Sequence, residues 1–96
     1  MKILAVLTPS QGKTPKDFEP FLIKEEQALW PMYRQGLVRE MYFQPDPLTI
    51  SLVFEATSKT EVESQLQQLP MVDAELFQIQ LITLGPWLPI EALFQA

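Results

Sequence analysis

The chain has 96 residues, seven Lys and Arg against twelve Asp and Glu, a net charge of −5, and neither cysteine nor histidine. That set excludes a disulfide framework, a thiol nucleophile, a zinc–thiolate centre and imidazole acid–base or metal chemistry. The cations are scattered and form no basic stripe, so nucleic acid is not an expected partner.

KILAVLT (2–8) is a short apolar run ended by Pro9 and predicts a buried strand. It is too short for a signal-peptide core, and no stretch approaches the length of a membrane span. A soluble cytoplasmic protein with no membrane partner is expected. PSQGK (9–13) is a loop. Thr14, Pro15 and Asp17 then make a capping-box-like helix start. A helix is expected from about Pro15 to Gln35, broken or kinked at Pro20 and Pro31, with its main body from about Phe21. Gly36 stands where a left-handed helix end is needed.

GLVREMYF (36–43) predicts the second strand and QPDP (44–47) a turn. LTISLVFEA (48–56) alternates cleanly, with Leu48, Ile50, Leu52 and Phe54 on one face and Thr49, Ser51, Val53 and Glu55 on the other. Ser58 and Glu61 form a capping box that opens a second helix over 59–68. LPMVDAE reads as a connection, LFQIQLITL (76–84) as the fourth strand, and the tail IEALFQA as one helical turn.

The order β-α-β-β-α-β predicts one α+β domain over 1–96, ferredoxin-like, with a four-stranded antiparallel sheet and two helices on one face. The other sheet face, with Val53 and Ile82 among Thr49, Ser51, Gln78 and Gln80, is then bare in a single copy. An apolar patch in so small a chain predicts sheet-to-sheet pairing into a homodimer or higher homo-oligomer.

Two features are out of place. The first helix carries an apolar stripe of Phe18, Phe21, Leu22, Ala28, Leu29, Met32 and Tyr33, and Glu25 falls near its centre. A carboxylate there must be paired, protonated or wet. Arg39 and Glu40 are adjacent in a strand, so one charge faces each way. Arg39 pointing inward could meet Glu25 or bind an anionic ligand bidentately, with Glu40 on the opposite face beside Val38 and Tyr42. Two readings follow. In one, Glu25 and Arg39 hold helix to sheet, with Glu55 a further partner for Arg39. In the other, Glu25 and Arg39 are catalytic, and Trp30, Tyr33, Tyr42 and Glu55 line a pocket for a small apolar or acidic ligand. No metal site, cofactor motif, phosphate-cradling loop or nucleophile elbow is present, so no cofactor is expected.

The stretch Glu25 to Trp87 resembles the muconolactone isomerase-like members of the dimeric α/β-barrel superfamily. EEQALWPMYRQGLVREMYF resembles the family's helix–glycine–strand unit, with an acidic residue eleven before the glycine and an arginine three after it. LVFEATSKTEVESQLQQLPM resembles its strand, capped helix and Leu-Pro exit, and LITLGPW its closing strand and turn. The resemblance implies a ferredoxin-like protomer whose sheets pair into a barrel. It also implies a cofactor-independent proton shift in a small lactone, with Glu25, Gly36 and Arg39 as the positions carried over. The runner-up is a non-catalytic dimeric domain that binds a small ligand or a partner.

Overall fold

The computed structural model describes residues 1–95. In chain order it comprises β1 (Lys2–Pro9), α1 (Pro15–Phe18), a 3-10 turn (Glu19–Phe21), α2 (Leu22–Arg34), β2 (Val38–Pro45) and β3 (Leu48–Glu55). Then follow α3 (Lys59–Leu66), α4 (Pro70–Asp73), β4 (Phe77–Leu84) and a C-terminal 3-10 segment (Leu88–Phe94). The strands lie in the order β2-β3-β1-β4, antiparallel at every junction. This is the ferredoxin-like α+β arrangement that the strand and helix order predicts.

Alternation decides the layers. Ile3, Ala5 and Leu7 of β1 pair with Phe54, Leu52 and Ile50 of β3 and share one face. They pack in one core with Phe18, Met32, Val62 and Leu66 from the helices. The other parity, with Leu4, Val6, Ser51, Val53, Gln80 and Ile82 in register across the central strands, forms the open face. It mixes apolar and amide or hydroxyl side chains, as the alternation predicts.

β2 departs from its predicted pattern. The register slips between Val38, opposite Phe54, and Glu40, opposite Val53. Arg39 is the extra residue of a β-bulge. Val38 is therefore buried in the core, and Glu40 and Tyr42 lie on the open face opposite Val53 and Ser51. The expectation that Val38 shares a face with Glu40 and Tyr42 is corrected here, because one inserted residue reverses the parity after it. The bulge also turns Met41 and Phe43 toward the helix side, opposite Leu52 and Ile50.

Helix ends follow the sequence chemistry. The Asp17 carboxylate accepts the Thr14 N–H at 2.7 Å, and Ser58 Oγ accepts the Glu61 N–H at 3.1 Å. Pro20 breaks the first helix into α1, a 3-10 turn and α2. Pro31 does not interrupt α2, which runs on to Arg34. α2 closes in a Schellman motif: Leu37 N–H donates to Met32 C=O at 3.0 Å and Gly36 N–H to Tyr33 C=O at 3.1 Å. Gly36 takes φ +81° there. The segment read as a connection holds the single turn α4, since Pro70 pre-sets the first helical φ. It closes in the same motif, with Leu76 N–H on Met71 C=O, but Glu75 occupies the left-handed position at φ 61°.

The tail behaves differently from the body. Trp87, Leu93 and Phe94 are 76%, 76% and 83% exposed. The radius of gyration is 15.7 Å and the extents are 59 × 28 × 20 Å. A compact chain of this length has a radius of about 12.5 Å. The segment after Leu84 therefore stands off the core rather than folding onto it.

The two Schellman closures make a matched test. Glu75→Gly should stabilise the chain by about 1 kcal/mol, and Gly36→Ala should cost about 1 kcal/mol, because only glycine takes the left-handed well without strain. Urea denaturation reads both. Equal, near-zero changes would show that these left-handed positions carry no strain.

Candidate functional site: a cleft between the second helix and the sheet

The bulge and the break at Pro20 together open the site. Because β2 turns Met41 and Phe43 toward the helices while α2 begins only at Leu22, the helix layer does not cover the β2 edge of the sheet. Two adjoining hollows of ≈ 540 Å³ and ≈ 220 Å³ lie there and share Glu25, Glu26, Phe43 and Ile50. The larger reaches Phe18, Leu22, Leu48 and Phe77 at the α1 end. The smaller runs under Leu29 toward Leu52 and Leu69. Cavities of some hundreds of cubic ångströms with mostly apolar walls are the usual form of a small-molecule site.

Glu25 is where these walls meet. It is 7% exposed, the one charged residue among the buried side chains of the described chain. Its Oε1 accepts the Met71 N–H at 2.9 Å. That amide belongs to the first turn of α4, where backbone N–H groups lack helical partners. Burial raises the Glu25 carboxyl above the ordinary carboxylate range. The Met71 hydrogen bond acts in the opposite sense, and the neighbouring Glu26 adds to the rise. Glu25 is thus a partly compensated acid at the floor of an apolar cleft, a setting suited to holding and returning a proton.

The other expected site residues are dispersed. Arg39 is exposed, and its Nε donates to the Gly36 carbonyl instead of reaching Glu25. The bulge carries it out of the strand register, so the expected Glu25–Arg39 pairing does not form. Among the described residues the one ion pair joins the Met1 ammonium to Glu55 at 3.0 Å. That partner pulls the Glu55 carboxyl down. Glu55 sits opposite Lys2, and Leu84 is the other neighbour of Lys2, at the end of the sheet away from the larger hollow. Trp30 and Tyr33 stack on the exposed side of α2, with ring centroids 5.8 Å apart. Neither lines either hollow. Tyr42 borders the smaller hollow, but its hydroxyl donates to Glu40 Oε1 at 2.7 Å. Of the expected set, the structure brings Glu25 and the Tyr42 border to the cleft and leaves Arg39, Trp30, Tyr33 and Glu55 outside it.

Sequence reasoning missed Phe43, Ile50, Phe18 and the Met71 amide as site elements. Phe43 needed the bulge to be known. The Met71 amide had a readable signal, a proline directly after Leu69 that starts a helical turn. Among the described residues no group of His, Cys, Asp or Glu is arranged to hold a metal ion, and no helix is long and apolar enough to cross a membrane.

The fold and site define a ferredoxin-like α+β protein with an apolar cleft and a buried acid between helix and sheet. No family model and no curated protein matches the sequence. The chain is similar in structure to 5-chloro-2-hydroxyhydroquinone dehydrochlorinase from Burkholderia phenoliruptrix, solved in complex with 2,5-dihydroxybenzoquinone. The TM-score is 0.74 at 18% identity, over 88% of this chain and 94% of that one. At that identity the likeness establishes a shared fold.

Glu25 gives the site a pH signature. Its folded pKa lies above its unfolded one, so the folded chain keeps this proton to higher pH than the unfolded chain does. Stability is therefore lost as pH rises from the unfolded value to the folded value, and the cost is complete above that window. Glu25→Gln removes the charge and keeps an acceptor for the Met71 N–H. Its stability relative to wild type should grow as pH rises from about 4 to about 8. Glu25→Ala, which also strips the acceptor, should be less stable than the Gln variant by about 1 kcal/mol. A pH-independent gap between wild type and Gln would show an ordinary, unperturbed carboxylate.

Proposed function

We propose that this single-domain protein is a small, cofactor-independent isomerase-type enzyme of the cytoplasm. In this reading it takes a small lactone or aromatic ring compound into the cleft between α2 and the sheet. Glu25 shuttles a proton between two carbons of the ligand, and a double bond moves in step. The observation that carries the reading is the placement of Glu25. It is a buried carboxyl with a raised pKa at the floor shared by both apolar hollows. Three further points support it. The residues Glu25 to Trp87 resemble the muconolactone isomerase-like group. A solved protein of similar fold is, by its name, a dehydrochlorinase acting on a ring compound, and it was solved with a quinone. The cleft has the volume of a small-molecule site.

The reading assigns Arg39 a different part from the one first expected. Its guanidinium is folded onto the α2–β2 corner at Gly36, and it steadies that corner rather than holding a ligand acid. In solution the protomer is read as a homodimer formed through the open sheet faces. The apolar side chains left there support this, with Ile82 and Leu84 more than a third exposed. So does the bare tail, whose Trp87 and Phe94 find no cover on their own chain.

One observation favours a second reading. Glu25 Oε1 is already engaged by the Met71 N–H. In a non-catalytic module the same carboxylate would serve as the cap that ties α2 to α4, and the cleft would only bind.

Solvent deuterium exchange into a small lactone separates the two. Glu25→Gln should lower exchange by about a hundredfold or more while circular dichroism stays native. Retained exchange in the folded variant removes Glu25 from any mechanism. For the assembly, light scattering at micromolar concentration should report a dimer, and Ile82→Glu on the open face should return a monomer. A wild-type monomer would rule out the paired-sheet arrangement.

A further inference from the structure

The charges that line the cleft do not suit the acidic ligand that the sequence pattern suggested. The larger hollow is lined by four carboxylates, Glu19, Glu25, Glu26 and Asp46, and by one ammonium, Lys13. The smaller is lined by Glu25 and Glu26 and by no cation. Arg39 lines neither. Lys13 also lies near Asp17, whose carboxyl is held below its ordinary range chiefly by the Thr14 amide and to a lesser degree by Lys13. The rest of the wall is apolar, with Phe18, Leu22, Phe43, Leu48 and Ile50 among its members.

A ligand carboxylate entering this space would shed water against apolar walls, where an anion needs a hydrogen-bonded cation to offset the loss. The smaller hollow supplies none, and the larger offers only Lys13 against four carboxylates. The anion would also be repelled by the like charge of Glu26 at the mouth, an exposed carboxylate whose field salt weakens. A ring of the same shape without the charge meets neither cost. An ammonium group would be drawn to the same carboxylates.

We infer that the cleft between α2 and the sheet selects uncharged or cationic ring-sized ligands and rejects anionic ones, with Glu19, Glu26 and Asp46 as the specificity-setting residues at its rim. The inference rests on the cleft being the binding site, as proposed above, and narrows the class of ligand it takes. Glu25 stays at the floor as the group that meets the ligand; the rim carboxylates act on what passes them. They are positioning and selecting residues and take no part in a bond-changing step.

Three probes of one shape test it: 4-methylbenzamide, 4-methylbenzylamine and 4-methylbenzoate, titrated by NMR into the full chain at neutral pH and low salt. The amide and the amine should bind, with the amine at least as tight, and the benzoate should be weaker by about tenfold or more. The double variant Glu19→Gln, Glu26→Gln should narrow the benzoate gap to about threefold, and added salt should narrow it in the wild type. Benzoate binding as tightly as the amide would overturn the inference and leave the cleft standing as a site. A wild-type gap that persists unchanged in the double variant would overturn it too, by moving the cause from charge to shape. Binding by none of the three would remove the cleft as a site and the charge rule with it.

Discussion

Helices cover one face of the four-stranded sheet and leave the other bare, so each strand must keep its apolar side chains on one parity. β1 and β3 do this without interruption, and their paired rows from Ile3 to Leu7 form the base on which α2 and α3 pack. β2 can meet the same constraint only by inserting Arg39. Without the bulge, Val38 and Glu40 would share a face, and a carboxylate would replace Met41 beside Leu52. The bulge resolves that conflict. It sends Glu40 to the open face, where the Tyr42 hydroxyl donates to it, and gives Phe43 to the helix side. The cleft follows from this correction: a strand turned toward the helices at an edge they do not cover.

Glu25 joins two parts of the chain that are far apart in sequence. It stands in α2 and accepts from an amide of α4, 46 residues later. The same contact lowers the cost of burying the carboxylate and fixes the short α4 turn, so the acid and its partner depend on each other. A ligand that took this hydrogen bond would have to satisfy the Met71 amide in its place, because an orphaned buried N–H is expensive. Binding at the cleft floor and the order of α4 are thereby coupled through one hydrogen bond.

The fold was legible because it rests on short-range signals. The alternation of 48–55, the capping residues Thr14 and Ser58, and the glycine after α2 each act within a few residues, and each lies where local chemistry puts it. The position of Glu25 in the apolar stripe was also a local pattern, and it led to the buried acid. The partners of that acid were not local. Whether Arg39 meets Glu25 depends on strand register, and the bulge that sets the register has no signature in VREM apart from the two charges themselves. The Met71 amide offered no side chain to notice, only the helix-starting Pro70 before it. Trp30 and Tyr33 had the look of pocket residues because aromatic side chains usually find cover, whereas here they stack on each other at the surface.

The bulge has a second effect, at the rim of the sheet. An edge strand exposes a row of free N–H and C=O groups that invites another strand to dock. β2 is blunted as such an edge. Arg39 distorts its ladder near one end, and Pro45, at the other, has no N–H to offer. β4 has neither device. Its eight residues are regular and free of proline, and they pair with β1 along their whole length. The sheet is therefore polarised: at β2 it is closed to further strands, and at β4 its ladder is still open to extension. A peptide that lengthens this sheet finds its free ladder on the β4 side and not at the β2 edge that Met41 and Phe43 bring to the cleft.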